Sequence, residues 1–174
     1  MIARGARLAF LSLEGCRLEH SAEPALYASR LTTPALFVGD AVIISHSKSE
    51  AVRLQGARLG QLLAPDATLR SAGGSALNAR ALQVEEMAVL AGLTAVGAGD
   101  MATVRLAGGH VGSLDFSRAV LRNDSGPALH AAGLQIDQEA YFADDFAAHG
   151  DGHSRQSTCP ACESLAACCS NQST

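Results

Sequence analysis

The sequence predicts an all-β fold, a right-handed parallel β-helix (solenoid) in which short strands stack coil upon coil. Three observations support this prediction. A repeat of about 51 residues organises most of the chain, and a period of five residues runs inside each repeat. The 174 residues also include 33 Ala and 22 Leu but no Trp, which suits a narrow interior filled by small and medium side chains.

The long repeat is defined by three passages that begin at Gly5, Gly56 and Gly108, 51 and 52 residues apart. The same offsets relate four further sets: Leu11, Leu62 and Leu114; Leu18, Leu69 and Leu121; Leu26, Leu77 and Leu129; and Leu31, Leu82 and Leu134. One register held across five sets is not expected by chance. We therefore predict a repeat domain over 1–153, with units 1–50, 51–102 and 103–153, and a disordered Cys- and Ser-rich tail over 154–174.

Within the units, apolar residues recur at every fifth position, as in Leu54, Leu59, Ala64 and Leu69. An α-helix turns 100° per residue, so a step of five builds no apolar face, and a flat strand alternates with period two. A coil that bends at regular corners explains the spacing, because each side then presents one such position to the axis. We expect four sides of five residues, coils of about 20 residues and about six to seven coils in all.

Clusters of turn residues predict where the loops lie. Two sets of equivalent loops are expected: His20–Pro24, Ser71–Ser75 and Asn123–Pro127 in one, and Ser45–Glu50 and Gly97–Ala102 in the other. Helix propensity leaves a short helix over Val84–Val96 as an alternative. Cys16 falls on the Leu11 ladder and is expected to be a small core residue.

Two passages carry a family resemblance: Val52-Arg53-Leu54-Gln55-Gly56-Ala57-Arg58-Leu59-Gly60-Gln61-Leu62, and residues 121–134. They resemble the pentapeptide-like β-helical repeats of large actinobacterial proteins that are often labelled "membrane-associated oxidoreductase". The resemblance covers about residues 1–150 and implies a bacterial repeat protein. It supplies no catalytic residues to carry over. Because the chain starts in mid-unit and holds three units, we expect it to be a piece of a longer array.

Departures from the repeat pattern occur at the turns. Asp66 and Arg118 replace the glycine found at Gly15. The pairs Glu85-Glu86 and Asp137-Gln138 stand where a turn glycine is usual.

Charge and hydropathy exclude several classes of protein. The net charge is −4, so neither a basic nucleic-acid footprint nor an acidic DNA mimic is expected, the latter also because the chain contains 12 Arg. The longest apolar stretch, residues 35–44, is too short to span a bilayer, which needs about 20 apolar residues. Ser12 and Glu14 interrupt the N-terminal apolar run, so no signal peptide is predicted. The expected location is cytoplasmic or peripheral to a membrane.

Two motifs could bind ligands, although a structural explanation is favoured for both. Gly97-Ala98-Gly99-Asp100-Met101-Ala102 matches the dinucleotide pattern GxGxxA, in which Gly97 and Gly99 would approach a pyrophosphate. Glycines at 108, 109 and 112 interrupt the helix that should follow, so an inter-repeat turn is favoured and no cofactor is expected.

In the tail, Cys159 and Cys162 form a CxxC pair, followed by Cys168 and Cys169.

The CxxC pair could hold a zinc ion or form a redox disulfide, but adjacent cysteines make a poor second chelating pair. His149, Asp151 and His153 could offer nitrogen and oxygen ligands to a divalent metal, the alternative being a solvated loop. His110 and His130 align with Arg, Tyr and Asn and are expected on the surface.

The sequence therefore favours a non-catalytic β-solenoid scaffold or binding module whose flat faces contact a partner protein, a glycan or a surface. The first alternative is the repeat region of an oxidoreductase-labelled membrane-associated protein, and the second is zinc binding by the Cys-rich tail. End-to-end self-association is also expected, because uncapped coils expose unpaired backbone groups.

Overall fold

The computed structural model describes residues 1–150, and this part of the chain forms a stack of parallel β-sheets. It contains 18 strands, β1 to β18 in chain order, and no helix is present within these residues. The all-β solenoid predicted from the sequence is confirmed. Within residues 1–150, no helix is long and apolar enough to cross a membrane.

The strands form three parallel sheets, named PB1, PB2 and PB3. PB1 contains β1 (Leu11–Ser12), β4 (Thr32–Phe37), β7 (Arg58–Leu63), β10 (Gln83–Val89), β13 (His110–Asp115), β16 (Gln135–Ile136) and β17 (Ala140–Tyr141). PB2 contains β2 (Arg17–His20), β5 (Val42–Ser45), β8 (Thr68–Ser71), β11 (Thr94–Gly97), β14 (Val120–Asn123) and β18 (Ala147–Gly150). PB3 contains β3 (Leu26–Tyr27), β6 (Val52–Arg53), β9 (Leu77–Asn78), β12 (Val104–Arg105) and β15 (Leu129–His130).

Each coil is longer than the sequence predicted. Strands pair with the strand three positions further along the chain, as in Leu36 with Leu62 and Asn78 with Arg105, so one coil takes about 26 residues. The long repeat unit is therefore two coils, and the expected four-sided coil of about 20 residues is wrong. Each coil has three sides, one in each of PB1, PB2 and PB3, so the predicted number of sides was too high although the five-residue ladder is real.

The apolar ladders line the interior of the tube, as predicted. Leu54, Leu59, Ala64 and Leu69 are each exposed by 4% or less. Their equivalents in the neighbouring coils are buried as well, so like side chains stack on like along the axis. Burial of a Leu side chain contributes about 2 kcal/mol, and the repeated ladder is the main source of stability.

Two sharp corners in each coil depend on left-handed backbone. Corner T1, between PB3 and PB1, comprises residues 4–5, 29–30, 55–56, 80–81, 107–108 and 132–133. Corner T2, between PB1 and PB2, comprises 14–15, 39–40, 65–66, 91–92, 117–118 and 144–145. The second residue of each corner has positive φ, including Arg118 at 58° where Gly15 has 62°. The substitution of Asp66 and Arg118 for glycine therefore changes the residue and preserves the turn.

The third corner is a single stack of loops between PB2 and PB3. His20, Ser45, Ser71, Gly97 and Asn123 occupy equivalent positions at the start of successive loops. The two loop sets expected from the sequence are thus one set, because the true period is half of 51. Side chains close these loops: Asn123 accepts hydrogen bonds from the backbone N–H groups of Ser125 and Gly126.

The helix considered over Val84–Val96 does not form, because these residues belong to β10 and β11. In β10 the pairing register shifts between Val84 and Met87, so Glu85 and Glu86 together oppose a single residue of each neighbouring strand. The glutamate pair that replaces a glycine is therefore a β-bulge, in which an extra residue is inserted into the strand.

The first coil has a neighbour on one side only, which exposes part of its interior. Cys16 lies at the ladder position of Ala41 but is exposed, so the expectation that it is a core residue is wrong. At the other end of the described stack, Phe116, Phe142 and Phe146 pack together with ring centroids 5.1 to 6.0 Å apart. These rings fill the interior of the tube at this end, where the column of buried apolar side chains would otherwise stop.

Replacing Gly112 by Ala should destabilise the fold much more than replacing Gly108 by Ala. A Cβ on Gly112 would lie 2.2 Å from the carbonyl oxygen of Glu86, so the coils must separate locally, at a cost of about 3 kcal/mol. A Cβ on Gly108 meets nothing within 4 Å, and Ala81 already adopts the equivalent left-handed turn, so we expect a loss of about 1 kcal/mol. Urea unfolding of the two variants measures the difference, and equal losses would contradict the stacking explanation.

Candidate functional site

The outer surface of PB3 carries one column of polar side chains, which we call the PB3 ladder. It consists of Tyr27, Arg53, Asn78, Arg105 and His130, each paired in register with the next. Adjacent members are therefore separated by about 4.8 Å, the spacing of strands within a sheet. The fold converts five residues spread over more than 100 positions into a continuous line of binding groups.

At one end of the ladder, Tyr27 contacts two arginines. The guanidinium carbons of Arg4 and Arg53 lie 5.8 and 5.2 Å from the centre of its ring. Cation–π contacts at these distances contribute about 0.5–1 kcal/mol each and hold both guanidinium groups against the sheet. This end of the ladder is thus rigid and positively charged.

Glu50 projects from the loop before β6 and is the single carboxylate that contacts the ladder within residues 1–150. It accepts hydrogen bonds from Arg53 Nε at 3.1 Å and from Asn78 Nδ2 at 2.8 Å. Its side chain is only 13% exposed. Burial raises the pKa of Glu50, but the hydrogen bonds from Asn78 and Arg53 outweigh burial and hold that pKa below its usual value of 4.5.

Arg105 differs from Arg53 because it forms no ion pair within residues 1–150. Burial lowers the pKa of Arg105, and the nearby charge of Arg80 lowers that pKa further. Beside it, Asn78 is 5% exposed and its Oδ1 atom has no hydrogen-bond partner. Because that Oδ1 atom is buried, a ligand cannot reach it, and Arg105 is the group that this part of the ladder offers to a ligand.

Four arginines, at 4, 53, 80 and 105, surround one carboxylate on this surface, which leaves three positive charges uncompensated. The chain segments that form the ladder and corner T1 contain no Asp or Glu: 2–5, 27–30, 53–56, 78–81, 105–108 and 130–133. The surface is therefore locally basic, although the whole chain is acidic.

The GxGxxA segment forms part of the loop stack, as the sequence analysis favours. Gly97 ends β11, and a Cβ there would lie 2.7 Å from Thr103 Oγ1. Gly99 has a φ of 91°, and a Cβ on it would lie 3.3 Å from the carbonyl oxygen of Gly73. Packing between coils thus explains both glycines, and the segment is followed by β12 rather than by a helix.

The metal candidates are mostly outside the described residues: Cys159, Cys162, Cys168, Cys169, Asp151 and His153. His149 lies in β18, where it pairs in register with Arg122 and borders a shallow cavity of about 300 Å³. Among residues 1–150, no group of three His, Cys, Asp or Glu side chains is placed to hold a metal ion.

No protein-family model, curated protein or solved structure matches the chain. The PB3 ladder was not found by sequence reasoning, which assigned Tyr27, Asn78 and His130 to one surface position. The 51-residue period separates these three residues from Arg53 and Arg105. A period of 26 would have placed all five in one column.

Replacing Glu50 by Gln should destabilise the protein at neutral pH and have less effect in acid. The depressed pKa of Glu50 means that its ionised form stabilises the fold at pH values above 4.5, and this contribution is lost as the pH falls through the lower folded-state value. At pH 7 the variant should lose about 1.5–3 kcal/mol, the range for hydrogen bonds to a charged group. Urea unfolding at pH 7 and at about pH 3 measures the change.

The matched control is Glu23→Gln, in the exposed loop of the first coil, which should leave stability unchanged. A loss for Glu50→Gln that stays constant with pH would contradict the assigned role of the carboxylate.

Proposed function

We propose that this chain is a non-catalytic β-solenoid binding module that uses the PB3 ladder to hold an acidic partner. The observation that carries the proposal is Arg105, a half-buried guanidinium without an ion-pair partner within residues 1–150. The carboxylate or phosphate groups of a partner would supply the missing negative charge.

The geometry of the ladder supports an extended ligand. Arg53 and Arg105 lie two rungs apart, at a spacing of about 9.6 Å along the axis. Because the sheet is stiffened by hydrogen bonds above and below each strand, the arginines are held at fixed spacing before binding. Such pre-organisation reduces the entropic cost of association.

Guanidinium groups bind carboxylates and phosphates through two parallel N–H donors. Arg53 already uses its donors on Glu50, so it positions the surface and supplies background charge. Arg105 and Arg80 are the residues left to contact a ligand directly.

The pentapeptide-like family membership stays a prediction from the sequence, as does the oxidoreductase label that accompanies that family. A scaffold role agrees with the coarse architecture, which is a regular stack with short corners and stacked loops. Zinc binding by the tail concerns residues outside 1–150 and likewise stays a prediction.

Replacing Arg105 by Gln should weaken binding of acidic polymers by about tenfold, since one charge-assisted contact is lost. Isothermal titration calorimetry with polyglutamate, polygalacturonate and inorganic phosphate measures the effect. Binding should also weaken as salt is raised, because exposed charges are screened within about 10 Å at 0.1 M ionic strength.

The control is Arg122→Gln, which removes the same charge from the exposed surface of PB2. Equal losses for Arg105→Gln and Arg122→Gln would show that binding is unspecific attraction and would overturn the proposal. Absence of binding by all three probes at low salt would also overturn it.

A further inference from the structure

The outer face of PB1 has a second pattern, independent of the PB3 ladder. Three of the seven large hydrophobic side chains that residues 1–150 expose lie on this face: Phe10, Met87 and Tyr141. Phe37, Leu63 and Val89 continue the apolar strip in one register column, and each is only partly buried. We call this surface the PB1 face.

One edge of the PB1 face is basic. The column nearest corner T1 contains Arg7 and Arg58 two rungs apart, whereas His110, two rungs further on, contacts a carboxylate, with Nε2 2.8 Å from Asp137 Oδ1. Arg30 adds a further charge at the corner of the second coil and is exposed.

The opposite edge, at corner T2, is acidic. Glu14, Asp40 and Asp66 lie at this corner in the first three coils, and Asp144 and Asp145 lie there in the sixth coil. Arg118 is the one cation at this corner within residues 1–150, and it lies 4.0 Å from Asp66.

The two edges match in the first three coils. In the first coil Arg7 and Glu14 lie at opposite edges, and in the second coil Arg30 and Asp40 do so. The third coil repeats the arrangement with Arg58 and Asp66. Every such pair shares one height along the stack, because each coil forms one rung.

This arrangement is self-complementary under a twofold axis parallel to the stack. If two PB1 faces meet with parallel stack axes, the basic edge of each copy lies opposite the acidic edge of the other at the same height. If the stacks run antiparallel, basic meets basic and acidic meets acidic. An isologous interface needs this kind of self-complementarity, with an apolar centre and a polar rim.

We propose that the PB1 face is a homodimer interface in which two copies pack side by side with parallel axes. Two rows of ion pairs, one along each edge, flank a central strip that contains Phe10, Phe37, Leu63 and Met87. The occupant of the apolar face is thus a second copy of this chain, selected by charge complementarity and by the shared rung spacing.

The size of the face predicts a weak dimer. Six rungs at about 4.8 Å and strands of six residues at about 3.3 Å give about 500 Å² for each copy. The total of about 1,000 Å² is at the lower limit for specific interfaces. The bulge also places Glu85 and Glu86 near the centre of the face, although Glu86 accepts a hydrogen bond from Gln61. Replacing both glutamates by Gln should therefore strengthen the dimer.

Charge exchange between the two edges tests the interface. Arg30→Asp and Asp40→Arg each create like charges across both edges, so each variant should dimerise at least tenfold more weakly than wild type. Both positions have left-handed backbone, with φ of 57° at Arg30 and 52° at Asp40. Arg and Asp therefore both already adopt this conformation in the chain. Circular dichroism checks that both variants fold, and Arg70→Asp on PB2 is the control for a change of net charge.

Sedimentation equilibrium of the full chain measures the outcome. Wild type should dimerise at about 0.01 M salt and dissociate at about 1 M, where screening shortens the reach of charges from about 30 Å to about 3 Å. A mixture of the two single variants should form a heterodimer, because opposite charges then meet at both edges, and the double variant should dimerise like wild type.

Three results would overturn the proposal. Wild type could remain monomeric at low salt up to about 1 mM. The single variants could dimerise like wild type, which would place the interface elsewhere. Growth into larger oligomers would exclude the twofold arrangement. The Asp40→Arg result is independent of the PB3 ladder, because Asp40 lies at corner T2, away from PB3 and corner T1.

Discussion

The hydrogen-bond ladder between successive coils is the constraint on which the rest of the structure depends. Each coil must return to the same register after about 26 residues, or the strands above and below lose their partners. The left-handed corners make this return possible, and they recur in every coil whether the residue is Gly15, Asp66 or Arg118. Sequence variation at the corners is therefore free to change charge as long as the turn is kept.

The same constraint determines how charged side chains are arranged on the surface. Since outward side chains of successive coils fall into straight columns, a preference at one position of the coil becomes a line of charge along the whole stack. Arginines gather along PB3 and corner T1, and carboxylates gather along corner T2. The net charge of −4 does not reveal this separation, because the positive charges of one column and the negative charges of the other cancel when all charges are added.

The architecture could be read from the sequence because Leu54, Leu59, Ala64 and Leu69 are both periodic and buried. The coil length could not be predicted from the sequence, since the long repeat fits two coils of about 26 residues as well as shorter coils joined by longer loops. This error also hid the candidate site, because Arg53 and Arg105 join the column of Tyr27, Asn78 and His130 only at the shorter period. The exposure of Cys16 was missed for a different reason: a ladder position is buried only where a neighbouring coil covers it.

Because the coils are of nearly equal length, insertions and deletions that preserve the fold lengthen or shorten this chain by whole coils. An insertion or deletion of about 26 residues, placed at one corner, would add or remove a complete rung and shift every later column by about 4.8 Å without changing its contacts. An insertion of intermediate length would have to bulge out of the wall, as the single extra residue at Glu85-Glu86 does. Evolution of such a chain can thus lengthen or shorten its binding surfaces by adding or removing whole coils, while the chemistry of each surface is preserved.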